Sequence, residues 1–303
     1  MNILLLGASS MIGREVEKQL IKLLNMDDNL LYCPSHKDLD VLKFKKLKKF
    51  IKKEKIGHIV TLAGLNGGIQ YNLSNPHDIF STNLKMCSNI MGAAHENNVE
   101  KLVYVMPTCA FPDVPIFSRE LIRGSVPHSS VQCHGLSRRN YYYYACQLHK
   151  QYQREYIGVA LNSVFGPHDK FGANGKVLGS LIRKFINAKL NGDKTVELNG
   201  SGAPMRGFIY VSDAAAAIVF SLFNYSNSLE LFAVDSHEIS IKNLANMIAN
   251  TVGYRGQIKF NGGVDGQMRK QLLGDSAFPL QVSLEEGIRN TVDWYYKTLG
   301  ESR

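Results

Sequence analysis

The sequence predicts an α/β fold built on a doubly wound parallel sheet, and three observations carry that prediction. First, short apolar segments alternate with longer segments of helical spacing, as in strands joined by crossover helices. Second, residues 3–6 are all apolar, as expected for a strand that is covered on both faces. Third, a turn between Gly7 and Gly13 leads into a helical pattern over residues 14–24.

The first thirteen residues therefore form a predicted strand, a glycine turn and a helix N-terminus. This unit brings backbone N–H groups and the positive end of a helix to a pyrophosphate. Ser10 stands where the common fingerprint often has a third glycine. Many glycine turns between a strand and a helix bind no ligand, so the signal favours a dinucleotide site without requiring one.

The alternation of elements continues along the 303 residues. Further strands are predicted at residues 29–32, 58–62, 101–106, 208–211 and 231–234, and further helices at 79–97, 137–156, 177–190, 213–223, 241–250 and 284–299. The composition changes beyond Phe165, where loops and glycine-rich stretches begin. We predict two interleaved domains: residues 1–165 with 208–232, and a second, smaller α/β domain of residues 166–207 with 233–303.

The composition, 45% apolar and 20% charged, is typical of globular proteins. No apolar run approaches the roughly 20 residues that cross a bilayer, and the N-terminal apolar stretch is predicted as a strand rather than a signal peptide. The five cysteines are odd in number and form no Cys-x-x-Cys motif or Cys/His cluster. We therefore predict no membrane contact, no metal site and no disulfides, and expect a reducing, cytoplasmic compartment.

The formal net charge of +9 comes mostly from residues 43–55, which contain eight lysines and one glutamate. Phe44, Leu47, Phe50 and Ile51 recur at helical spacing among these lysines and predict an apolar stripe beneath a solvated basic face. No aromatic or arginine pattern for reading bases accompanies them. A surface helix is therefore favoured over a nucleic-acid site.

The loop after the second strand indicates which dinucleotide would bind. An acid at the tip of this strand would bind the ribose 2′-hydroxyl of NAD, and none stands there. Ser35, His36 and Lys37 offer a hydroxyl and positive charge, which favour a 2′-phosphate and hence NADP(H). The alternative is that His36 and Lys37 are solvated loop residues. The third strand ends in Ala63 and Gly64, small residues beside which a cofactor can approach the backbone closely.

Several segments resemble the GDP-L-fucose synthases, a branch of the extended short-chain dehydrogenase/reductases. They read Thr-Cys-Ala-Phe-Pro at 108–112, Val-Phe-Gly-Pro-His-Asp-Lys-Phe at 164–171, Gly-Ser-Gly-Ala-Pro-Met-Arg-Gly-Phe at 200–208, Ala-Gly at 63–64 with Gly-Gly-Ile at 67–69, and Asp-Gly-Gln-Met-Arg-Lys at 265–270. That family epimerises C3 and C5 and reduces C4 of GDP-4-keto-6-deoxymannose. The resemblance implies that the first domain is a Rossmann domain for NADP(H) and that the second binds a GDP-linked sugar. It also implies a homodimer whose helices 79–97 and 137–156 form a four-helix bundle.

The resemblance implies cofactor contacts as well. The residues that would wrap the pyrophosphate are Gly7, Ser10, Met11, Ile12 and Gly13. Those that would meet the 2′-phosphate are Ser35, His36 and Lys37, with Asp40 at the adenine. The family's Pro-Thr-Asn beside the nicotinamide is replaced here by Leu161, Asn162 and Ser163.

For the sugar nucleotide, the resemblance implies two sets of contacts. The GDP phosphates would be met by Arg206 and Lys270, because a guanidinium binds phosphate in a bidentate manner and an ammonium supplies a mobile charge, and Arg269 would also bind the substrate. The cleft would be lined by Val177 and Asn199, although the family usually has tryptophan at the second position.

The reductase residues of that family are not kept. The family uses serine, tyrosine and lysine, the last two spaced Tyr-x-x-x-Lys, and a gapless alignment puts Pro107, His134 and Arg138 at these positions. Thr108 keeps a hydroxyl nearby. One interpretation is that His134 donates the proton, although the positive charges of Arg138 and oxidised nicotinamide would lower its pKa and leave it mostly neutral. The alternatives are a phenol from residues 141–144, or a His134 with no chemical role.

The epimerase residues are kept in part. The family pairs a cysteine with a histidine to move protons beside the ketone; Cys109 matches the cysteine, and Lys176 stands at the histidine position. Lys176 can act as an acid or base if burial lowers its pKa, or it can contact a phosphate. The alternative for Cys109 is a small buried apolar residue. We expect an NADP(H)-dependent epimerase, reductase or both; the rival hypotheses are a regulatory binding protein and a structural partner of another enzyme.

Overall fold

The computed structural model describes residues 1–24, 30–67, 69–172, 175–263, 265, 267–275 and 278–301. The strands are β1 (Asn2–Leu6), β2 (Leu30–Tyr32), β3 (His58–Thr61), β4 (Lys101–Pro107), β5 (Ile116–Phe117), β6 (Glu155–Leu161), β7 (Ser163–Phe165), β8 (Thr195–Leu198), β9 (Met205–Tyr210), β10 (Phe232–Ala233), β11 (His237–Ser240), β12 (Gln257–Phe260) and β13 (Arg269–Leu272). The helices are α1 (Met11–Leu23), α2 (Phe44–Lys53), α3 (Ile69–Ser74), α4 (Pro76–Glu96), α5 (Gln132–Tyr152), α6 (Val177–Asn191), α7 (Val211–Asn224), α8 (Ile241–Val252) and α9 (Leu284–Glu301). Asn29 of the second predicted strand, and Gly68 and Gly266 of the resembling segments, lie outside the described residues.

The first sheet has six strands in the order β10-β6-β4-β3-β1-β2, and every neighbouring pair is parallel. From β1 the chain moves out to the edge strand β2 and then returns to β3 on the other side of β1. At such a reversal a crevice opens beyond the carboxyl ends of the two strands, where ligands of α/β proteins bind. The predicted doubly wound parallel sheet is confirmed.

The wholly apolar first strand is explained by two cores, one on each face of this sheet. Ile3 and Leu5 pack into a core with residues of α1 and α7, namely Val16, Leu20, Ala214 and Ile218. Leu4 and Leu6 pack on the opposite face with residues of α2, α4 and α5, namely Leu47, Ile90 and Tyr141. Leu47 and Ile51 are also the buried stripe of the lysine-rich helix α2, as its spacing predicted.

The second sheet has the order β11-β9-β13-β5, with β7 also paired to β9, and β8 and β12 form a separate parallel pair. The chain passes from β6 of the first sheet into β7 of the second through Asn162 alone. The Asn162 side chain accepts from the Leu272 N–H and donates to the Leu272 carbonyl, both at 3.3 Å, so it joins this crossing point to β13. Both β7 and β9 belong to the second sheet, although the predicted division placed residues 163–165 and 208–210 in the first domain.

Several predicted boundaries were wrong. Helix α1 begins at Met11 instead of residue 14, because the Ser10 hydroxyl accepts from the Gly13 N–H and caps the helix. Helix α5 spans Gln132–Tyr152 instead of 137–156; it ends at Gln153, whose φ of 56° is left-handed, and Tyr156 lies in β6. No helix within the described ranges is both long and apolar enough to span a bilayer.

Candidate active site

The turn between β1 and α1 is shaped by close backbone approaches that only glycine permits. Gly7 has φ +88°, and a Cβ there would lie 3.1 Å from the carbonyl carbon of Leu62, which follows β3. A Cβ on Gly13 would lie 2.2 Å from the Gly7 carbonyl oxygen. The turn therefore folds back on the first turn of α1, at the point where the strand order reverses.

Ser10 takes the place of the third glycine by capping the helix. Its hydroxyl donates to the Gly7 carbonyl at 2.8 Å and accepts from the Gly13 N–H at 3.0 Å. The first turn of α1, which begins with Met11 and Ile12, holds no acidic residue to neutralise the positive helix end. We call Gly7, Ser10 and Gly13, with the N-terminus of α1, the cofactor cradle; it brings together all five residues predicted for the pyrophosphate.

The loop after β2 contains a contact that was not predicted, between Ser35 and an acid that follows it. The Ser35 hydroxyl donates to the Asp38 carboxylate at 2.6 Å, and the Ser35 N–H donates to it at 3.1 Å. His36 and Lys37 are exposed, and Asp40 accepts from the Leu42 N–H at 3.0 Å. Sequence reasoning missed Asp38, although a serine followed three residues later by an acid is a known capping pattern. The carboxylate brings negative charge beside the predicted 2′-phosphate site.

Arg138 connects the carboxyl ends of two central strands. Its guanidinium donates to the Ala63 carbonyl at 2.9 Å and to the Val105 carbonyl at 2.7 Å, and lies 4.7 Å from the Tyr141 ring centroid. A Cβ on Gly64 would lie 3.2 Å from this guanidinium, which explains the small residue at the end of β3. The N–H groups of Arg138 are thus bound to backbone, and its charge lies one helical turn from His134.

Asn83 also holds the loop after β3, and sequence reasoning missed it. Asn83, fully buried on α4, accepts from the Leu65 N–H at 2.9 Å and donates to the Leu65 carbonyl at 2.8 Å. A polar residue on the otherwise apolar, buried face of a helix is the sequence signal for such a contact.

Cys109 and His134 lie in contact at the carboxyl end of β4. Cys109 is in a single turn of 3-10 helix, Thr108–Ala110, and its Sγ lies 3.1 Å from His134 Nδ1 in the first turn of α5. Gly135 allows this approach, because a Cβ there would lie 2.1 Å from the Cys109 carbonyl oxygen. The prediction had paired Cys109 with Lys176, so this contact was not foreseen.

Burial keeps both members of this pair neutral. Burial raises the pKa of the Cys109 thiol, and the positive charges of Lys270 and Arg138 oppose that shift. Burial, and then the charge of Arg138, lowers the pKa of His134 to about 3. The predicted direction of the histidine shift agrees with this value, and an imidazolium is absent near pH 7.

Lys270 completes what we call the thiol–imidazole cluster, made of Cys109, His134 and Lys270. It lies on β13 in register with Arg206 of β9. Burial lowers the pKa of Lys270, while the nearby Cys109 raises it and Arg206 lowers it further. Burial also lowers the pKa of Arg206, and Asp265 opposes that shift. Two predicted phosphate contacts thus lie side by side on β13 and β9, and one of them, Lys270, acts on the thiol.

The remaining predicted substrate residues, and the predicted catalytic residue Lys176, have other partners or lie at the surface. Arg269 donates two hydrogen bonds of 2.7 Å to the Glu238 carboxylate. The Asn199 side chain accepts from Asn261 at 3.0 Å. Lys176 precedes α6 and its Nζ donates to the Val164 carbonyl at 3.1 Å, and Val177 is 39% exposed at the start of that helix.

Among the residues predicted beside the nicotinamide, the Leu161 side chain is part of the core, Asn162 bonds to β13, and Ser163 begins β7. Within the described part of the chain no group of three or more His, Cys, Asp or Glu side chains could hold a metal ion, and all five cysteines are free.

Comparison with known proteins agrees with the resemblance found in the sequence. A GDP-L-fucose synthase of Escherichia coli is 30% identical over 312 residues, covering 95% of this chain and 94% of the relative. GDP-L-fucose synthase 1 of Arabidopsis thaliana is 29% identical over 284 residues, covering 89% of this chain and 86% of the relative. The crystal structure of a GDP-L-fucose synthetase from Naegleria fowleri bound to NADP superposes with a TM-score of 0.88 at 26% identity, covering 99% of this chain and 93% of that one. The family model described as NAD dependent epimerase/dehydratase matches residues 3–233, and this chain belongs to that family.

Proposed function

We propose that this protein is an NADP(H)-dependent enzyme that acts on a GDP-linked 4-keto sugar and epimerises it, reduces it, or does both. The observation that carries the proposal is the thiol–imidazole cluster, which lies, like the cofactor cradle, at the carboxyl ends of the strands of the first sheet. Relatives named GDP-L-fucose synthase, which match over nearly the whole chain, supply the substrate class. The comparisons support an enzyme and give no support to a regulatory binding protein.

The residues of the cradle fit a dinucleotide. The space beside Gly7 and Gly13 is too narrow for any side chain, so backbone N–H groups of the α1 N-terminus are left to bind a pyrophosphate. Ser35, His36 and Lys37 remain our proposal for the 2′-phosphate, with Asp38 as a modifying charge. When bound, the cofactor would supply or accept a hydride at the sugar ring. NADP bound to the Naegleria fowleri relative supports this choice of dinucleotide.

The division of labour between the two halves of the protein is part of the proposal. The first sheet would hold the cofactor, and β9, β13 and α6 would hold the sugar nucleotide, with Arg206 and Lys270 as its cationic groups. Epimerisation needs groups that move protons beside a ketone, and Cys109, Lys270 and Lys176 are the candidates. Reduction would need a proton donor for the new alkoxide, and Thr108 and the neutral His134 are weak acids for that task.

We also propose a homodimer in the cytoplasm. Helices α4 and α5 pack against each other, and their outward surface carries apolar side chains that are more than one third exposed: Phe80, Leu84 and Tyr143. Two copies of this helix pair would form a four-helix bundle that covers these side chains. The free cysteines agree with a reducing compartment.

The test combines two readouts in one incubation. The protein is mixed with NADPH and GDP-4-keto-6-deoxymannose in deuterated water, and nicotinamide absorbance and deuterium at C3 and C5 are followed together. We expect deuterium uptake, with or without oxidation of NADPH. The variant Cys109→Ala should lose uptake, whereas Cys33→Ala, a thiol on the β2 loop, should not. Binding of both ligands without either reaction would contradict the proposal.

A further inference from the structure

The position of His134 in the cluster suggests a role different from proton donation. Its side chain is 6% exposed, and its Nδ1 lies 3.1 Å from the Cys109 sulfur. Nε2 has no hydrogen-bond partner among the described residues. Gly135 allows α5 to approach the Cys109 carbonyl closely, and within the same helix the Ser137 hydroxyl donates to the His134 carbonyl at 2.8 Å.

The charged and titratable groups around this imidazole come from three elements. Arg138 follows on α5, Cys109 lies on the turn after β4, and Lys270 acts on Cys109 from β13. Burial keeps the pair uncharged: with the charge of Arg138 it disfavours an imidazolium, and it disfavours a thiolate against the opposing charges of Lys270 and Arg138. An uncharged pair can be joined by a thiol that donates to Nδ1 or by an Nδ1–H that donates to sulfur. Because the imidazole nitrogen is a stronger acceptor than a thiol sulfur, we assign the thiol as the donor, which puts the ring proton on Nε2. The hydrogen bond to one ring nitrogen thereby determines the tautomer.

We propose that His134 acts as a neutral hydrogen-bond donor through Nε2 to the keto oxygen of the substrate, and that Cys109 positions it by fixing this tautomer. The inference rests on the proposed function, because it needs a 4-keto sugar at the cluster. A neutral imidazole polarises a carbonyl and stabilises the oxygen anion that forms when a neighbouring carbon loses its proton. His134 therefore serves enolisation, the first half of an epimerisation.

The step balances without any redox partner. Lys270, in its deprotonated form, takes the proton from the carbon beside the ketone and later releases it to solvent. The C–H electron pair becomes the new carbon–carbon double bond. The carbonyl π pair moves onto oxygen, which accepts the hydrogen bond from Nε2–H and leaves that proton on the ring. A proton from solvent then adds to the opposite face of the same carbon, which restores the ketone and inverts the centre. Exchange with solvent therefore does not require oxidation of NADPH.

The first test measures deuterium uptake at C3 and C5 by three proteins. Compared with the wild type, His134→Ala should lose about 100-fold in uptake, as expected for removal of one hydrogen-bond donor to a developing oxyanion. His134→Gln, whose amide still donates, should stay within roughly tenfold of the wild type. Between pH 6 and 8, the pH profile of deuterium uptake by the wild type should have the same inflections as that of His134→Gln. Undiminished uptake by His134→Ala, or an inflection near pH 6.5 that His134→Gln lacks, would overturn the inference.

The second test needs no substrate and detects the tautomer directly. In the protein with nitrogen-15 histidine, His134 should give the signals of a neutral ring protonated at Nε2 at every pH between 5 and 8. A ring that titrates near pH 6.5, or that carries its proton on Nδ1, would contradict the proposal. Cys109→Ala should release the tautomer while leaving the fold intact by circular dichroism.

The two proposals fail in different ways. A wild type that neither takes up deuterium nor oxidises NADPH would overturn the proposed function, and this inference with it. A wild type that exchanges while His134→Ala exchanges equally well overturns only the role of His134.

Discussion

The cofactor cradle and the thiol–imidazole cluster both lie at the carboxyl ends of the strands of the first sheet but are built in different ways. The cradle is made by backbone within one turn, and its shape depends on the absence of side chains at Gly7 and Gly13. The cluster is made by side chains that three elements far apart in the chain bring together: Cys109, His134 and Lys270. One region is defined by local sequence and the other by tertiary packing.

This difference determines which substitutions each region can accept. A backbone site has few alternatives, so replacing a glycine requires a new interaction such as the Ser10 cap. A side-chain site can exchange a phenol for an imidazole and an ammonium for a guanidinium while the backbone stays in place. The chain keeps the fold of its relatives with changed residues at the predicted triad positions. Predictions for the two regions accordingly differ in size and in kind.

The largest effect is expected at the cradle. Gly13→Val would place a Cβ 2.2 Å from the Gly7 carbonyl oxygen, so β1 and α1 would have to separate. We expect a loss of roughly 3 kcal/mol in the free energy of unfolding, together with loss of NADPH binding. Gly300→Ala is the matched control, because nothing lies within 4 Å of a Cβ there. Urea denaturation and calorimetry measure both quantities, and a stable Gly13→Val protein with unchanged affinity would contradict the description of the cradle.

The sequence was sufficient for the cradle because its signals are local. An apolar run, two glycines and a helical period fix strand, turn and helix without reference to the rest of the chain. The fold class followed from repetition of the same signals. The Cys109–His134 contact had no such signal, since the sequence alone does not show that Gly135 brings α5 against the turn after β4. The second sheet was not predicted for the same reason, since only the strand pairing in the structure shows that β7 and β9 belong to it.

Arg138 lies between the two regions, and its replacement tests how far they depend on each other. Arg138→Met removes two hydrogen bonds to the Ala63 and Val105 carbonyls and should destabilise the protein by about 2 kcal/mol. It also removes the positive charge beside His134, so the pKa of that imidazole should rise, although burial still keeps it below 6.5. Arg255→Met, at an exposed position, is the control. Unchanged nitrogen-15 signals of His134 in Arg138→Met would show that the charge of Arg138 does not act on this imidazole.

The cluster also predicts a dependence of stability on pH. The pKa of His134 is about 3 in the folded protein and 6.5 for the free side chain, so the unfolded chain binds more protons between these values. Stability should therefore be complete above pH 6.5 and fall as the pH decreases toward 3, by about 1.4 kcal/mol between pH 7.5 and 5.5 from this group. His134→Gln should lack this share of the decrease in urea denaturation. Equal pH slopes for the two proteins would show that the imidazole is not held neutral.

The smallest effect is expected at the outer end of the cofactor site, where Asp38 binds the Ser35 hydroxyl. Asp38→Asn removes one negative charge beside the proposed 2′-phosphate while an amide oxygen can still accept the hydrogen bond. Because this loop is exposed, solvent screens the charge, and affinity for NADPH should rise by only about threefold. Affinity for NADH, which has no 2′-phosphate, should stay unchanged, and so should both affinities in the control Asp293→Asn, an exposed acid on α9. An equal gain for NADH and NADPH would show that Asp38 acts on the loop and not on the phosphate, and the choice of dinucleotide would then have to depend on His36 and Lys37.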